Sequence, residues 1–381
     1  MIGDIPQVSI VLPTYNGEKY IRESIDSIVC QSFTDWELII VNDCSTDNTA
    51  EILNKYKAID SRICIINNKE NMKLPMSLNI GFRYAKGKYF TWTSDDNIYD
   101  KYAIENMRNY LECHSSVPMV VADMVTIDDD GDYCGGWEKF DCKGLACSNT
   151  VGACFLYRSE IRNIVGEYNE NLFLVEDYDY WLRIIFRYKQ IHHIQSNLYK
   201  YRIHKNSLSN TKKHNVNENL CKLRLMYLDR LVELAGDDDN LIVRLYCELS
   251  CATYLDSIQR QLFYNSCSIL QYELKYDESK PSIIYGAGRY GYILSRIINN
   301  VSFFVDADIN KIGSKLNGIE VIDIDSLVRM IGDNQLIISV NSRIMYSVLM
   351  SLVKRGFKSW CLLHSVLYQK GCMYDQIDEL L

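Results

Sequence analysis

Residues 8–17 read VSIVLPTYNG, an apolar run that ends near Pro13 and passes directly into polar residues. Two later stretches follow the same plan, since WELIIV at 36–41 leads into NDCSTDN and KYFTW at 88–92 leads into TSDDN. Short apolar runs bounded by turn residues indicate buried strands. The carboxyl ends of parallel strands meet at one sheet edge, where open α/β sheets bind ligands. We therefore expect these polar residues to form one site at that edge.

Helical patterns alternate with these strands over the first 92 residues. Strands are predicted at 7–12, 36–41, 64–66 and 88–92, and helices at 18–29, 50–56 and 75–85. Such alternation is typical of βαβ units and a mostly parallel sheet. The fold class predicted for this region is α/β.

The chain has 381 residues, more than one ordinary core accommodates. We predict three regions: an α/β domain at 1–210, a helical connector at 211–279 and a second, small Rossmann-like domain at 280–381. The connector is predicted from leucines at helical spacing. The last region is predicted from a renewed alternation of strands and helix.

Composition limits the classes of partner. The formal net charge is −8 and no basic run stands out, so no nucleic-acid partner is expected. The 14 cysteines are scattered without a Cys-x-x-Cys pair, which favours reduced thiols over a zinc site. No secretory signal and no run of about 18 apolar residues is visible. We expect a cytoplasmic protein, while peripheral contact with the inner face of the cell membrane and a homo-oligomer stay open.

Two further polar motifs complete the pattern, EDYDYW at 176–181 and YRIH at 201–204. Several carboxylates and one histidine gathered at a sheet edge suit a divalent cation, which prefers oxygen ligands and also binds phosphates. The sequence therefore predicts a site for a cation and a phosphorylated substrate.

These five motifs, in this order and spacing, resemble the family 2 glycosyltransferases with the GT-A fold. The resemblance covers residues 7–210, over half of the chain. It implies a Rossmann-like, mostly parallel sheet and a nucleoside-diphosphate sugar as donor.

The resemblance also implies which residues hold the donor. Thr14, Tyr15 and Asn16 are expected beside the base, and Asp43 is expected to accept the imide N–H of uracil or thymine. Arg202 is expected near the diphosphate. Lys73 stands where many family members have glycine, and it either reaches the diphosphate or is solvated.

Asp95 and Asp96 are the predicted ligands of Mn²⁺ or Mg²⁺, and they would also lie beside the donor diphosphate. The resemblance adds His204 as a metal or phosphate ligand. The family usually has Asp-x-Asp at this motif, whereas this chain has Thr93 at the first acidic position. A cation there would assist departure of the nucleoside diphosphate.

The catalytic residue implied by the resemblance is Asp177, as the general base that takes a proton from the acceptor hydroxyl. A single displacement with one base inverts the anomeric configuration. Glu176 and Trp181 are predicted to lie at the acceptor, with orientation of the loop as the other role for Glu176.

The third region contains a second candidate nucleotide site. Gly286, Gly288 and Gly291 follow a predicted strand and open a helix, and Asp306 ends the next strand. The region also resembles the N-terminal domain of bacterial sugar O-acyltransferases. A vestigial or interaction module, a site for a nucleotide or nucleotide sugar, and an NAD site all stay open.

The predicted function is metal-dependent, inverting transfer of a hexose or N-acetylhexosamine, with UDP as the preferred carrier. The predicted acceptor is a hydroxyl of a glycan, glycolipid or glycoprotein in bacterial surface glycan assembly. One alternative is a non-catalytic scaffold that binds nucleotide sugars. Another is a bifunctional enzyme whose third region binds NAD.

Overall fold

The computed structural model of this chain describes residues 5–137, 139–205, 207–208, 212–253 and 255–371. The chain divides into two compact units, Met1–Leu223 and Arg224–Leu381. The division into three domains stays a prediction. None of the helices in the described ranges is long and apolar enough to cross a membrane.

In the described part of the first unit, nine strands form one sheet with the order β3-β2-β1-β4-β8-β6-β9-β5, and β7 pairs with β6. The strands are β1 (Val8–Thr14), β2 (Trp36–Asn42), β3 (Ile63–Asn67), β4 (Tyr89–Trp92), β5 (Ile98–Tyr99), β6 (Met119–Ile127), β7 (Tyr133–Gly136), β8 (Phe155–Arg158) and β9 (His192–Arg202). The first four strands of this order are parallel, and β8 runs antiparallel to β4 and β6.

The helices of this part of the chain include those predicted after β1, β2 and β3. They are α1 (Ile21–Val29), α2 (Thr49–Ile59), α3 (Lys73–Tyr84), α4 (Ala103–Cys113), α5 (Glu160–Val165), α6 (Glu176–Tyr188) and α7 (Lys213–Met226). The prediction of alternating strands and helices is confirmed over the first 92 residues.

Strand β1 continues through Pro13 to Thr14, two residues beyond its predicted end. The partner strand β4 stops at Trp92, opposite Val11, so Pro13 has only β2 beside it. Pro13 therefore lies beyond the last residue pair of β1 with β4, where the missing N–H of proline interrupts no bond within that pairing.

The core of this unit lies on both faces of β1. Ile10 and Leu12 pack in one cluster with the buried face of α1, including Ile21 and Ile25. The opposite face carries Val11, which meets α3. Burial on both faces explains why β1 reads as a continuous apolar run rather than an alternating one.

The second unit contains a smaller sheet with the order β12-β13-β11-β10-β14-β15, parallel except at β12. Its strands are β10 (Ser282–Tyr285), β11 (Val301–Val305), β12 (Lys315–Leu316), β13 (Ile319–Ile322), β14 (Gln335–Ile338) and β15 (Cys361–Leu362). Its helices are α8 (Leu228–Ala235), α9 (Asp239–Ala252), α10 (Ser257–Ser266), α11 (Arg289–Ile297), α12 (Ile324–Met330), α13 (Ser342–Lys354) and α14 (Leu363–Gln369). The predicted class, an α/β fold with a second small sheet, is confirmed.

Close packing of α3 on β1 gives a stability prediction. A Cβ on Gly81 would lie 2.4 Å from Val11 Cγ1, a buried atom of a stiff β-branched side chain. We expect Gly81→Ala to lower the free energy of unfolding by about 1–2 kcal/mol, because overpacking outweighs the helix propensity gained, about 1 kcal/mol. Urea unfolding of the full-length protein measures the change.

The matched control is the same substitution in a Val11→Ala background, where both Val11 Cγ atoms are gone and Val41 Cγ2 stays 3.2 Å from the added Cβ. There, Gly81→Ala should be neutral or stabilising. A stabilising effect in the wild-type background would contradict the packing of α3 against β1.

Candidate active site

The carboxyl ends of β1, β2 and β4 bring the first three polar motifs together. Thr14 donates its hydroxyl to Asp95 Oδ2 over 2.5 Å, and its carbonyl accepts the Asp43 N–H over 2.8 Å. Gly17 passes so close that a Cβ there would lie 2.3 Å from Asp95 Oδ2. Glycine at this position therefore lets the loop after β1 approach the acid.

The loops after β1 and β2 are bonded to each other through Asn16. Its N–H donates to Ser45 Oγ over 3.0 Å, and its Oδ1 accepts the Thr46 N–H over 2.8 Å. Asn16 has a φ of 56°, which asparagine adopts more readily than most residues. Tyr15 beside it is 50% exposed, so its ring is accessible at this edge.

Asp43 is buried and holds the loop that leads into α3. One oxygen accepts the Asn68 side-chain N–H over 2.7 Å and the Met72 N–H over 2.8 Å. The other oxygen accepts the Lys73 N–H over 2.8 Å. Lys73 has a φ of 66°, an uncommon value for a residue with a side chain, and its ammonium group lies 5.6 Å from the ring centre of Phe173. Asp43 thus organises the loop that presents Lys73.

Asp95 and Asp96 follow β4 but have different partners. Burial and the charge of Asp96 raise the pKa of Asp95 to about 7, against the bond from Thr14. Asp96 Oδ2 lies 3.0 Å from His204 Nε2. Asp96 Oδ1 is buried and has no hydrogen-bond partner among the described residues.

Thr93, at the position where the family usually has an acid, is turned into the protein. Its hydroxyl lies 2.6 Å from the hydroxyl of Tyr199, and both side chains are buried. The carboxylates available to a cation are therefore those of Asp95 and Asp96.

The donor set fits a hard divalent cation. Within the described residues, no three His, Cys, Asp or Glu side chains form a metal-binding group. Magnesium sites beside phosphates need only one or two protein carboxylates, because phosphate and water supply the other ligands. The unpartnered Asp96 Oδ1 is an oxygen of the required kind. Asp95, Asp96 and His204 stay the predicted metal residues.

Arg202 is a buried residue that ties loops together. It is 1% exposed, and its guanidinium donates to the carbonyl of Asp96 over 2.9 Å and to those of Asp128 and Asp129 over 3.1 Å. A further bond of 2.6 Å reaches Glu23 on α1. This geometry favours a positioning role for Arg202 over the predicted contact with a diphosphate.

The two roles of Arg202 predict different effects of Arg202→Lys. A lysine cannot reproduce the fork of donors, so buried carbonyls lose partners at about 1–3 kcal/mol each. We expect the free energy of unfolding to fall by about 2–4 kcal/mol in urea unfolding. Lys19→Met, which removes an exposed bond to Asp129, is the control and should cost less than about 1 kcal/mol. Unchanged stability together with a raised KM for the donor would instead support the diphosphate contact.

Asp177 lies at the same sheet edge as Asp95 for a topological reason. Because β8 is antiparallel to β4, the residues before β8 lie at the carboxyl end of β4. Thr91 of β4 confirms this pairing by donating to the Phe155 carbonyl over 2.6 Å. Asn149, in the segment before β8, donates to Asp177 Oδ2 over 2.8 Å. The first turn of α6 is thereby attached to this edge.

Glu176 and Asp177 differ in how their charge is stabilised. Burial raises the pKa of Asp177 to about 6, and bonds from the Tyr178 N–H and Asn149 oppose the rise. Burial and the charge of Asp177 raise the pKa of Glu176 to about 8. Glu176 Oε2 is buried without a hydrogen-bond partner in the described part of the chain. Near pH 7 the negative charge of the pair therefore resides on Asp177.

The predicted contact of Trp181 with an acceptor is at odds with its position. The indole is fully buried, and its ring centre lies 4.4 Å from that of Phe155. The third and fourth residues after Asp177, Tyr180 and Trp181, lie on the aromatic side of α6. That side packs on β8, so both residues face the core. Trp181 is a core residue, and the pattern EDYDYW does not by itself distinguish its two faces.

The sequence did not predict the roles of three residues at this site. Asn149, Asn68 and Glu23 contact Asp177, Asp43 and Arg202, respectively. Each lies in a segment without a motif, and each partner is far along the chain. The polar cluster SNT at 148–150 marks a loop but indicates no contact with Asp177.

Comparison with known proteins identifies the family of this chain. A family model described as Glycosyl transferase family 2 matches residues 9–161. An uncharacterized glycosyltransferase of Rickettsia prowazekii is 33% identical over 217 residues, which are 54% of this chain and 67% of that relative. The chain belongs to glycosyl transferase family 2. It is a glycosyltransferase, which favours an enzyme over a non-catalytic scaffold.

Two solved structures share the fold of this glycosyltransferase. The structure of S. aureus TarS 1–349 in complex with UDP-GlcNAc has a TM-score of 0.53 at 16% identity, and the match covers 68% of this chain and 79% of that one. Mannosyltransferase PcManGT from Pyrobaculum calidifontis, in complex with GDP-Man and Mn²⁺, has a TM-score of 0.50 at 14% identity, and the match covers 71% and 82%. The predicted GT-A fold is confirmed. The resemblance of the last region to sugar O-acyltransferases stays a prediction.

Proposed function

We propose that this glycosyltransferase moves a hexose or N-acetylhexosamine from a nucleoside-diphosphate sugar to an acceptor hydroxyl, with inversion at the anomeric carbon. The observation that carries the proposal is that two separate acidic groups lie at one sheet edge. Asp95 and Asp96 follow β4, and Asp177 is attached to the same edge through Asn149. Asp95 and Asp96 suit the departing diphosphate, and Asp177 suits the incoming alcohol.

Asp177 is the general base. It is half-buried and is the charged member of the acidic pair near pH 7, whereas the buried Glu176 is protonated because its pKa is about 8. An ionised Asp177 accepts the proton of the acceptor hydroxyl as the oxygen attacks the anomeric carbon, and the bond from that carbon to the diphosphate oxygen breaks. Asp177 Oδ2 is oriented by Asn149, so the base is held before the acceptor arrives.

The donor is a UDP-sugar. A carboxylate has about four lone-pair sites, and three protein N–H groups occupy three of those on Asp43. The remaining site suits the imide N–H of uracil, a donor that cytosine lacks. TarS, which shares the fold, has been solved in complex with UDP-GlcNAc, and this supports UDP as the carrier.

Asp95, Asp96 and His204 would hold Mn²⁺ or Mg²⁺. A cation bound there supplies Lewis-acid stabilisation of the charge on the leaving diphosphate. The buried, unpartnered Asp96 Oδ1 supports this assignment, as does the presence of Mn²⁺ with the mannosyltransferase PcManGT. Arg202 contributes by fixing the carbonyl of Asp96.

The acceptor we propose is a hydroxyl of a glycan, glycolipid or glycoprotein in bacterial surface glycan assembly, with Glu176 beside it. The enzyme would act in the cytoplasm or at the inner face of the cell membrane.

Release of UDP from UDP-sugars in the presence of Mn²⁺ tests the proposal. Asp177→Asn should lower kcat by about 10²–10⁴, the usual contribution of a general base, while the Kd for UDP stays within about threefold. Chelation of the metal by EDTA should abolish turnover, and added Mn²⁺ should restore it. Unchanged kcat in Asp177→Asn would exclude Asp177 as the base, and turnover in EDTA would exclude the metal.

The pH dependence of kcat/KM gives a separate prediction. Asp177 acts only when deprotonated, so activity should rise with pH through a midpoint near the pKa of about 6. The Asn149 bond lowers the pKa of Asp177, so Asn149→Ala should move the midpoint to higher pH, by about one unit. Thr150→Val, which alters a neighbour bonded to the Asp141 carbonyl, is the control and should leave the midpoint in place. A midpoint that is the same in Asn149→Ala would rule out this coupling.

A further inference from the structure

The second unit has a glycine turn at the point where ligands bind in open α/β sheets. Strands β11 and β13 lie on one side of β10, and β14 and β15 lie on the other. The strand order therefore reverses between β10 and β14, which is where such sheets form a crevice. The turn from β10 into α11 contains Gly286, Gly288 and Gly291.

Two of these glycines are required by the packing of the chain itself. Gly286 has a φ of +113°, and a Cβ on it would lie 2.4 Å from the Ser339 carbonyl oxygen. A Cβ on Gly291 would lie 2.0 Å from the carbonyl oxygen of Gly286. A side chain at either position would displace backbone. Packing of the chain therefore explains both glycines without a ligand.

Gly288 differs from both. It has a φ of −110° and a ψ of −164°, which any residue adopts. A Cβ there would have no described atom within 4 Å, and the residue is exposed. Neither conformation nor neighbouring atoms require glycine at this position. Close approach of a ligand to the backbone is a physical use for glycine at such a position.

Ser339 provides an independent observation. It follows β14, level with Gly286 beside the end of β10, and it is 4% exposed. Its hydroxyl has no hydrogen-bond partner among the described residues. Side chains two apart on a strand share a face, and Ile337 packs in the cluster with Ala287 and Leu294. The Ser339 hydroxyl therefore lies on the face of the glycine turn and α11, with an unused hydrogen-bonding capacity.

Asp306 indicates which part of a nucleotide this turn suits. Its carboxylate accepts the N–H groups of Ala287 and Asp308 over 2.9 Å and is paired with Lys311 over 3.0 Å. In NAD sites, the corresponding acid grips the ribose hydroxyls. Here the acid supports the turn and is neutralised by a cation, so recognition through phosphate is favoured over recognition through ribose.

The geometry points to a second nucleotide site in this unit, in which the pyrophosphate of a nucleoside diphosphate or nucleotide sugar lies against Gly288 and the N-terminus of α11, above the Ser339 hydroxyl. The helix N-terminus adds a favourable field for the phosphate charge. Arg289, an exposed cation, is the first residue of α11. This site is independent of the glycosyl transfer proposed for the first unit.

Calorimetric titration of the full-length protein with UDP, ADP and NAD tests the second site. Gly288→Asp places a carboxylate in the open space of the turn without straining the backbone, so the variant should fold. We expect wild type to bind one equivalent of at least one probe in addition to any bound by the first unit (the second equivalent), and Gly288→Asp to lose this second equivalent while its rate of glycosyl transfer stays unchanged. The probe that is lost identifies the nucleotide.

Two further variants make the outcome specific. Gly136→Asp introduces the same charge at a glycine of the first unit that also has no described atom near its Cβ, and it should keep the second equivalent. Ser339→Ala should weaken binding of the second equivalent about 3–10-fold, as expected for one hydrogen bond. The same stoichiometry and affinity in wild type, Gly288→Asp and Ser339→Ala for all three probes would overturn the proposal. Because transfer activity is measured separately, failure of the proposed function is a distinct result.

Discussion

The closeness of two adjacent, half-buried carboxylates, Asp95 and Asp96, is the constraint on which the first unit depends. Like charges repel strongly at a site with little water, and burial next to Asp96 raises the pKa of Asp95 to about 7. Partners from distant strands reduce this cost, since Thr14 is the last residue of β1 and His204 lies just after the end of β9. Such a pair is stable only after the sheet has assembled, and its unused oxygen is then available to a cation.

The second acidic pair shows how environment separates two equal groups. Glu176 and Asp177 are neighbours on one helical turn, yet Asp177 accepts hydrogen bonds at both its oxygens, whereas Glu176 Oε2 has no partner in the described part of the chain. That difference makes Asp177 the ionised member and Glu176 the protonated one near neutral pH. A base with a pKa close to the working pH is suited to proton transfer. The pKa of Asp177 therefore depends in part on Asn149, a residue from another loop.

The sequence predicted the strands that meet at the site, because apolar runs ending in polar motifs identify strand ends without knowledge of contacts. It did not predict which residues of a motif face the site. Trp181 and Thr93 lie in the core, and Arg202 is enclosed by backbone carbonyls. A motif indicates a helix or a strand end. The orientation of each of its side chains, however, depends on packing against residues far along the chain.

The α/β class and the order of strands and helices over the first 92 residues were determined by the sequence alone, since periodicity and turn residues are local properties. The GT-A fold was implied by the resemblance of the five motifs to family 2 glycosyltransferases. The glycine motif after β10 was equally visible. Only the tertiary structure decided that Asp43 organises a loop, that Asn149 orients Asp177 and that Gly288, unlike Gly286 and Gly291, has open space beside it. These are contacts between distant segments, and they exist only once the sheets bring those segments together.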